Sequence, residues 1–236
     1  MKSFVKNWKC FQNVSLRSKQ DKTKHNTKEQ GVSLDHLFFP FSPGGGWTVI
    51  QQRVDSSIPF NRTWNSYKLG FGDFSTNFWF GNDRIHNLTT QYNVENEVLF
   101  DLTKHDGTKI YTAYKDFHID DESDKYKLHV GSVFDPEIPG GGKVPTDSNK
   151  GLDYQNGQFF STLDMDNDYS NSRHCSEEHK GSGWWFIGCY RMQLNGEYGF
   201  EGDGGLVWDA ITYIDGVQYP FIKTRMLVRR NNNDVD

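Results

Sequence analysis

Asp164, Asp166 and Asp168 alternate along one short stretch, with Asn167 between the last two. Carboxylates spaced this way in an irregular loop can converge on a hard cation, which takes about six to eight oxygen ligands. The competing reading is a polar turn, because Asp, Asn and Ser side chains bond nearby backbone. An EF-hand is excluded. It needs Gly at the sixth loop position and Glu at the twelfth, and counting from Asp164 those places hold Tyr169 and Cys175. Paired carboxylates also cleave glycosides when they face each other across a bond. Carboxylates two residues apart in one loop point the same way, which suits a metal better. Just beyond lie Cys175 and Cys189, enclosing 13 residues, and the turn Gly181–Gly183 running into Trp184 and Trp185. The cysteines can close that loop and hold it rigid. The stretch reads as a cation-braced surface rather than a catalytic cleft.

Other chemistry is hard to find. Gly140-Gly141-Gly142-Lys143 hints at a phosphate loop, but Glu137 stands where the first Gly is required and Val144 where Ser or Thr is required. There is no H-E-x-x-H, G-x-S-x-G or dinucleotide fingerprint. The eight histidines are scattered, and His86 reads as a satisfied core or interface side chain rather than a ligand. The chain is therefore read as not an enzyme.

The elements around this stretch are short. Trp47–Val54 is rich in β-formers and predicts a strand. Trp64, Tyr67 and Phe71 recur at helical spacing, with Gly70 and Gly72 to end the helix. Phe78–Ile85 leads into a second short helix. Glu97–Leu102 and Lys109–Phe117 alternate apolar and polar residues around the hairpin signal Asp106-Gly107. Tyr126–Val130 predicts a third strand, and the three together predict an antiparallel meander. Phe221–Val228 predicts a closing strand.

A chain of 236 residues can bury a full core. Its 7 Trp, 11 Tyr and 18 Phe beside 23 Gly favour turn-rich structure over a helical bundle. No apolar run approaches the length of a membrane span, so membrane insertion is not expected. Residues 1–31 hold 8 basic and 2 acidic side chains, against 18 and 29 in the remainder. The leader reads as a solvated tail, and the acidic body argues against nucleic acid as partner. Met1–Lys9 lacks an apolar core, so no signal peptide is visible. No oligomerisation segment is visible either.

From Gly44 to Arg230 the chain resembles the fibrinogen C-terminal domain, or fibrinogen-related domain, of ficolins, tachylectins, angiopoietins, tenascins and fibrinogen. The resemblance rests on GGGWTVIQQRVDSSIPFNRTWNSYKLGFGDFSTNFWFGNDRIHNLT (Gly44–Thr89), Phe160-Ser161-Thr162, Asp164–Asp168, Cys175, Gly183-Trp184-Trp185, Cys189 and Leu194-Asn195-Gly196-Glu197-Tyr198. It implies an α+β fold with a central antiparallel sheet, short flanking helices and an irregular, calcium-binding C-terminal region. It divides the chain into a divergent, poorly ordered segment 1–43, the domain 44–230 and a polar tail 231–236.

The resemblance also implies a Ca2+ cofactor, held by the Asp166 and Asp168 side chains and the Ser170 and Ser172 carbonyls. Cys175 and Cys189 are the natural couple, a closure worth about 3 kcal/mol in the chain-entropy model, and Cys10 is left over. A ligand pocket beside the calcium is expected from His179, Trp185, Tyr190 and Tyr198, with Phe200 an alternative to Tyr198. Tyr190 stands where the family has His, and His179 where acetyl-binding members have Tyr. The second cysteine of an upstream family pair falls where this chain reads Phe38–Pro43, so one family disulfide is missing. The expected function is calcium-dependent, extracellular recognition of lectin type, of a glycan or acetylated small molecule. The alternative is a protein-binding module of signalling, matrix or clot-like assembly with an extracellular protein as partner. Asn61 and Asn87, with Asn13, carry glycosylation sequons that agree with secretion.

Overall fold

The computed structural model describes residues 38–39, 46–91, 94–136, 138, 151–214 and 216–231, with Phe38, Phe39, Tyr213 and Ile214 described by backbone alone. The leader, Cys10, Asn13 and Gly140–Lys143 lie outside these residues.

Eight strands form the main sheet: β1 (Phe38–Phe39), β2 (Trp47–Arg53), β3 (Phe71–Gly72), β4 (Phe78–Trp79), β5 (Asn96–Thr103), β6 (Lys109–Tyr114), β9 (Val133–Phe134) and β16 (Lys223–Arg230). Between these fall the ribbon β7 (His118–Ile119) with β8 (Leu128–His129), and β10 (Phe160–Ser161) with β11 (Trp184–Trp185). Two more ribbons follow, β12 (Met192–Gln193) with β13 (Val207–Trp208), and β14 (Tyr213–Ile214) with β15 (Val217–Gln218). The sheet runs β3-β4-β2-β16-β5-β6-β9, with β1 on β2, and every pairing is antiparallel. The expected α+β architecture is what forms.

The closing strand does not close an edge. β16 is inserted between β2 and β5, pairing along its whole length with β5. β5 is buried on both faces, which forces its two acids to find partners. The register supplies them. Arg229 lies opposite Glu97 and donates to it at 2.8 Å, and Arg225 lies opposite Asp101 and forks onto its carboxylate.

The expected three-strand meander is corrected at its third member. β8 pairs with β7 beside the sheet, and β9 takes the place on β6. The reason is local. Asp116 adopts φ 56°, which turns the chain off the sheet right after β6. Lys115 then brackets the returning chain, donating to Ser132 O (3.0 Å) and accepting from Gly131 N (2.8 Å).

Two helices lie where the spacing places them. α1 (Trp64–Leu69) starts at Thr63, whose hydroxyl accepts from Ser66 N, and it buries Tyr67. α2 (Asn82–Thr90) buries Ile85. His86 is half-buried and donates through Nδ1 to Ile119 O at 2.8 Å, so it is satisfied, as its solitary position suggests. The shorter α3 (Cys175–Glu178) and α4 (Asp209–Thr212) sit in the irregular C-terminal half. That half is anchored by aromatic rings. Trp79 stacks on Phe160 at 6.0 Å, and Phe160 meets Trp185 edge-on at 5.1 Å.

Candidate functional site

The aspartate loop is fixed at both ends by its own side chains. Thr162 and Met165 exchange backbone hydrogen bonds at 3.0 Å, closing a tight turn. Asn167 donates to Phe160 O (2.9 Å) and its N–H to Ser161 Oγ (3.0 Å), which ties the loop to β10. Asp164 is engaged outside the loop's other carboxylates. Its Oδ1 accepts from Trp64 N at the start of α1 and from the Thr162 hydroxyl, both at 2.8 Å. Asp168 spans the loop, accepting from Ser170 N (2.7 Å) and Cys175 N (2.8 Å). Asp166 is exposed and accepts only from Asp168 N, at 3.2 Å, among the described hydrogen bonds.

The donor set suits a hard cation. Asp166 and Asp168 supply carboxylate oxygens with lone pairs to spare, and the Ser170 and Ser172 carbonyls accept no hydrogen bond among the described residues. All four are oxygens, which fits calcium and disfavours soft or nitrogen-seeking metals.

Cys175 and Cys189 are joined in a disulfide with Cα atoms 5.4 Å apart, closing the loop as expected. The backbone beneath it is packed without slack. A side chain at Gly183 would meet the Tyr67 ring at 2.5 Å, and one at Gly196 would meet Gly205 O at 2.1 Å. The Leu194-Asn195-Gly196 run clamps this region to the sheet. Gln51 donates to Leu194 O (2.7 Å), Arg53 to Gly196 O (2.7 Å), and Asn195 to Gly183 O (3.0 Å).

Of the four expected pocket residues, the fold brings two together. His179 meets Tyr190 edge-on with ring centroids 4.8 Å apart, and its ring is also stacked with Phe186 at 6.4 Å. His179 is 7% exposed and its Nδ1 is buried without a partner. Burial lowers its pKa, so the ring is neutral near pH 7. The Tyr190 hydroxyl accepts from Gly204 N at 3.1 Å, and burial raises its pKa. Phe186 is fully buried and backs the pair from the core, a role not legible in the sequence. The one hint is its place directly after the Trp pair in an unbroken aromatic run.

Trp185 and Tyr198 go elsewhere. Trp185 is fully buried in the aromatic core, its Nε1 donating to Tyr126 O at 2.8 Å, so it supports the site from beneath rather than lining a pocket. Tyr198 has one hydroxyl proton to donate and lies within reach of two carbonyls, Ile222 O (2.8 Å) and Val54 O (3.0 Å). It lines a neighbouring groove of ≈ 320 Å³ with Arg53, Phe60, Asn61 and Lys180. Phe200 lies under the Lys180 ammonium at 4.2 Å. Glu178 and His179 come close to Cys189, but that sulfur is committed to the disulfide and cannot serve as a thiolate ligand.

An antiparallel sheet backing an irregular, disulfide-closed surface with an oxygen-donor loop defines a recognition domain. The chain belongs to the family described as fibrinogen beta and gamma chains, C-terminal globular domain, which matches residues 38–231. It is 38% identical over 178 residues to Ryncolin-4 of Cerberus rynchops, covering 75% of this chain and 47% of that protein. It is 37% identical over 179 residues to Techylectin-5A of Tachypleus tridentatus, covering 75% and 54%. The chain thus spans about half the length of these curated relatives. The lamprey fibrin D-dimer complexed with the peptide Gly-His-Arg-Pro-amide superposes with a TM-score of 0.71 at 28% identity, covering 100% of this chain and 86% of that one. Membership of this family of non-enzymatic recognition proteins agrees with the absence of catalytic motifs from the sequence.

Proposed function

We propose that the chain is a calcium-dependent, extracellular recognition module of lectin type that binds acetylated compounds or glycans beside the Cys175–Cys189 loop. The observation carrying this reading is the edge-on His179–Tyr190 pair next to the Cys175–Cys189 loop, with the Tyr190 side chain half-buried. A methyl group against the half-buried Tyr190 ring gains roughly 0.8 kcal/mol, and the Tyr190 hydroxyl, which accepts from Gly204 N, keeps its own proton to donate to a ligand carbonyl. That combination is the chemistry of an acetyl group. Calcium, held by Asp166, Asp168 and the Ser170 and Ser172 carbonyls, supplies rigidity to the loop that Asp168 ties to Cys175. Secretion is supported by the disulfide and by the exposure of both Asn61 and Asn87, which we assign as glycosylation sites.

A second reading, recognition of a peptide or extracellular protein, is favoured by the peptide bound to the lamprey fibrin domain. An array of acetylated compounds, glycans and Gly-His-Arg-Pro-amide, probed with and without calcium, separates the two. The lectin reading expects acetylated ligands retained only in calcium. Retention of the peptide alone would transfer the function to the second reading.

A further inference from the structure

The β7–β8 ribbon juxtaposes three metal-ligating side chains that the recognition site does not use. His118 and His129 are direct cross-strand partners, and their rings stack with centroids 4.3 Å apart at an interplanar angle of 4°. Asp120, two residues after His118, shares its face of the strand. Its Oδ2 accepts from His129 Nε2 at 2.8 Å. One ring nitrogen from each histidine and a carboxylate oxygen all lie within 4.8 Å of one another. All three side chains are half-buried, so each is held in place yet open to solvent on one side.

The geometry points to a divalent transition-metal site of His2Asp type, selective for zinc over calcium. Two imidazole nitrogens and one carboxylate oxygen are a zinc donor set, whereas calcium takes oxygen alone. Zinc ligands at 2.0–2.2 Å in tetrahedral array stand about 3.3 Å apart, so the 2.8 Å His129–Asp120 contact needs to open only slightly. The rings must move more. Two parallel planes cannot both contain one ion, so at least one imidazole turns about its broad χ2 torsion. Partial exposure of both rings leaves room for that turn.

The backbone holds the cluster in register without metal. Asp120 N donates to Lys127 O (3.0 Å), and His86 on α2 grips Ile119 between the two ligands of that strand (2.8 Å). Asp116 adds negative charge beside His118, which favours a bound cation over a bare imidazole pair. Three protein ligands leave one tetrahedral position for water or a partner's side chain, the pattern of an open rather than a closed zinc site. A cleft lined by Thr89, Thr90, Glu95, Asn96 and Asp116 reaches His118, leaving that side of the cluster open to solvent. No ligand of this cluster belongs to the aspartate loop, so the two metals do not compete.

The test is a calorimetric titration of zinc into the full chain with calcium held saturating. One zinc per chain is expected, weakened at least about tenfold by His118→Ala, by His129→Ala and by Asp120→Asn, since even outer partners of a zinc site change affinity by that much. Asp166→Ala with Asp168→Ala must leave zinc binding unchanged. Cobalt(II) bound to the unmutated chain should show the visible bands of four-coordinate geometry, which answers the question without any variant having to fold. Zinc binding that survives the His118→Ala/His129→Ala double change, or that is lost with the aspartate-loop change, overturns the assignment. So does a cobalt spectrum with only the weak bands of the hydrated ion.

Discussion

Three aspartates two residues apart carry three different roles, and only their partners tell them apart. Asp164 accepts from the first amide of α1, so Asp164→Ala should cost about 1 kcal/mol of stability in urea unfolding and leave calcium binding unchanged. Loss of calcium binding in that variant would make Asp164 a ligand. His179 gives a second residue-scale prediction. Burial lowers its folded pKa below the usual value near 6.5, so between the two values the unfolded chain binds more protons. The stability it contributes is complete above that pH and lost as pH falls through it. His179→Gln should flatten the dependence of melting temperature on pH in that range, and an unchanged slope would show that His179 is not the group responsible. The cysteine pair was legible because its spacing suits closure of one loop. Trp185 was misread as a pocket residue because a motif gives position in the chain but not depth, and its ring turned into the core against Phe160.

At the scale of elements, the short loops are held by closures rather than by secondary structure. The Cys175–Cys189 bridge closes 14 residues of separation. Cys175→Ser with Cys189→Ser should lower stability by about 3 kcal/mol in denaturant melts while far-ultraviolet circular dichroism reports the sheet intact. Collapse of the sheet signal would mean the bridge holds more than its own loop. Strand existence was legible at Trp47–Arg53 and Asn96–Thr103 from β-formers and alternation. Pairing was not. Nothing in Tyr126–Val130 announces that β8 leaves the sheet, because the decision is made upstream, by Asp116 turning to φ 56°. Periodicity reports which faces are apolar, not which strand lies alongside.

Across the whole molecule, the chain's last strand is its most central. β16 joins β2 to β5, and its Arg229 and Arg225 neutralise the acids of the doubly buried strand. Arg225→Ala strands Asp101 in the sheet and should destabilise by roughly 3–5 kcal/mol, with Arg225→Ala/Asp101→Leu recovering most of it. If the double variant is no more stable than the single, the pair is not the source of the loss. The same central strand connects the sheet to the recognition surface. Thr224 bonds Gln51, and Gln51 holds Leu194 O below the disulfide loop. That long-range tie was invisible in sequence, since its partners lie 143 residues apart. The central claim is calcium-dependent recognition at His179 and Tyr190. Titrating N-acetylglucosamine into isotope-labelled protein, in calcium and then in chelator, tests it most directly. His179 and Tyr190 resonances should shift in calcium with a dissociation constant on the order of 1 mM, fully buried Trp185 and Phe186 should move least, and chelator should abolish the shifts. Resonances of His179 and Tyr190 unmoved at high sugar in calcium would contradict it.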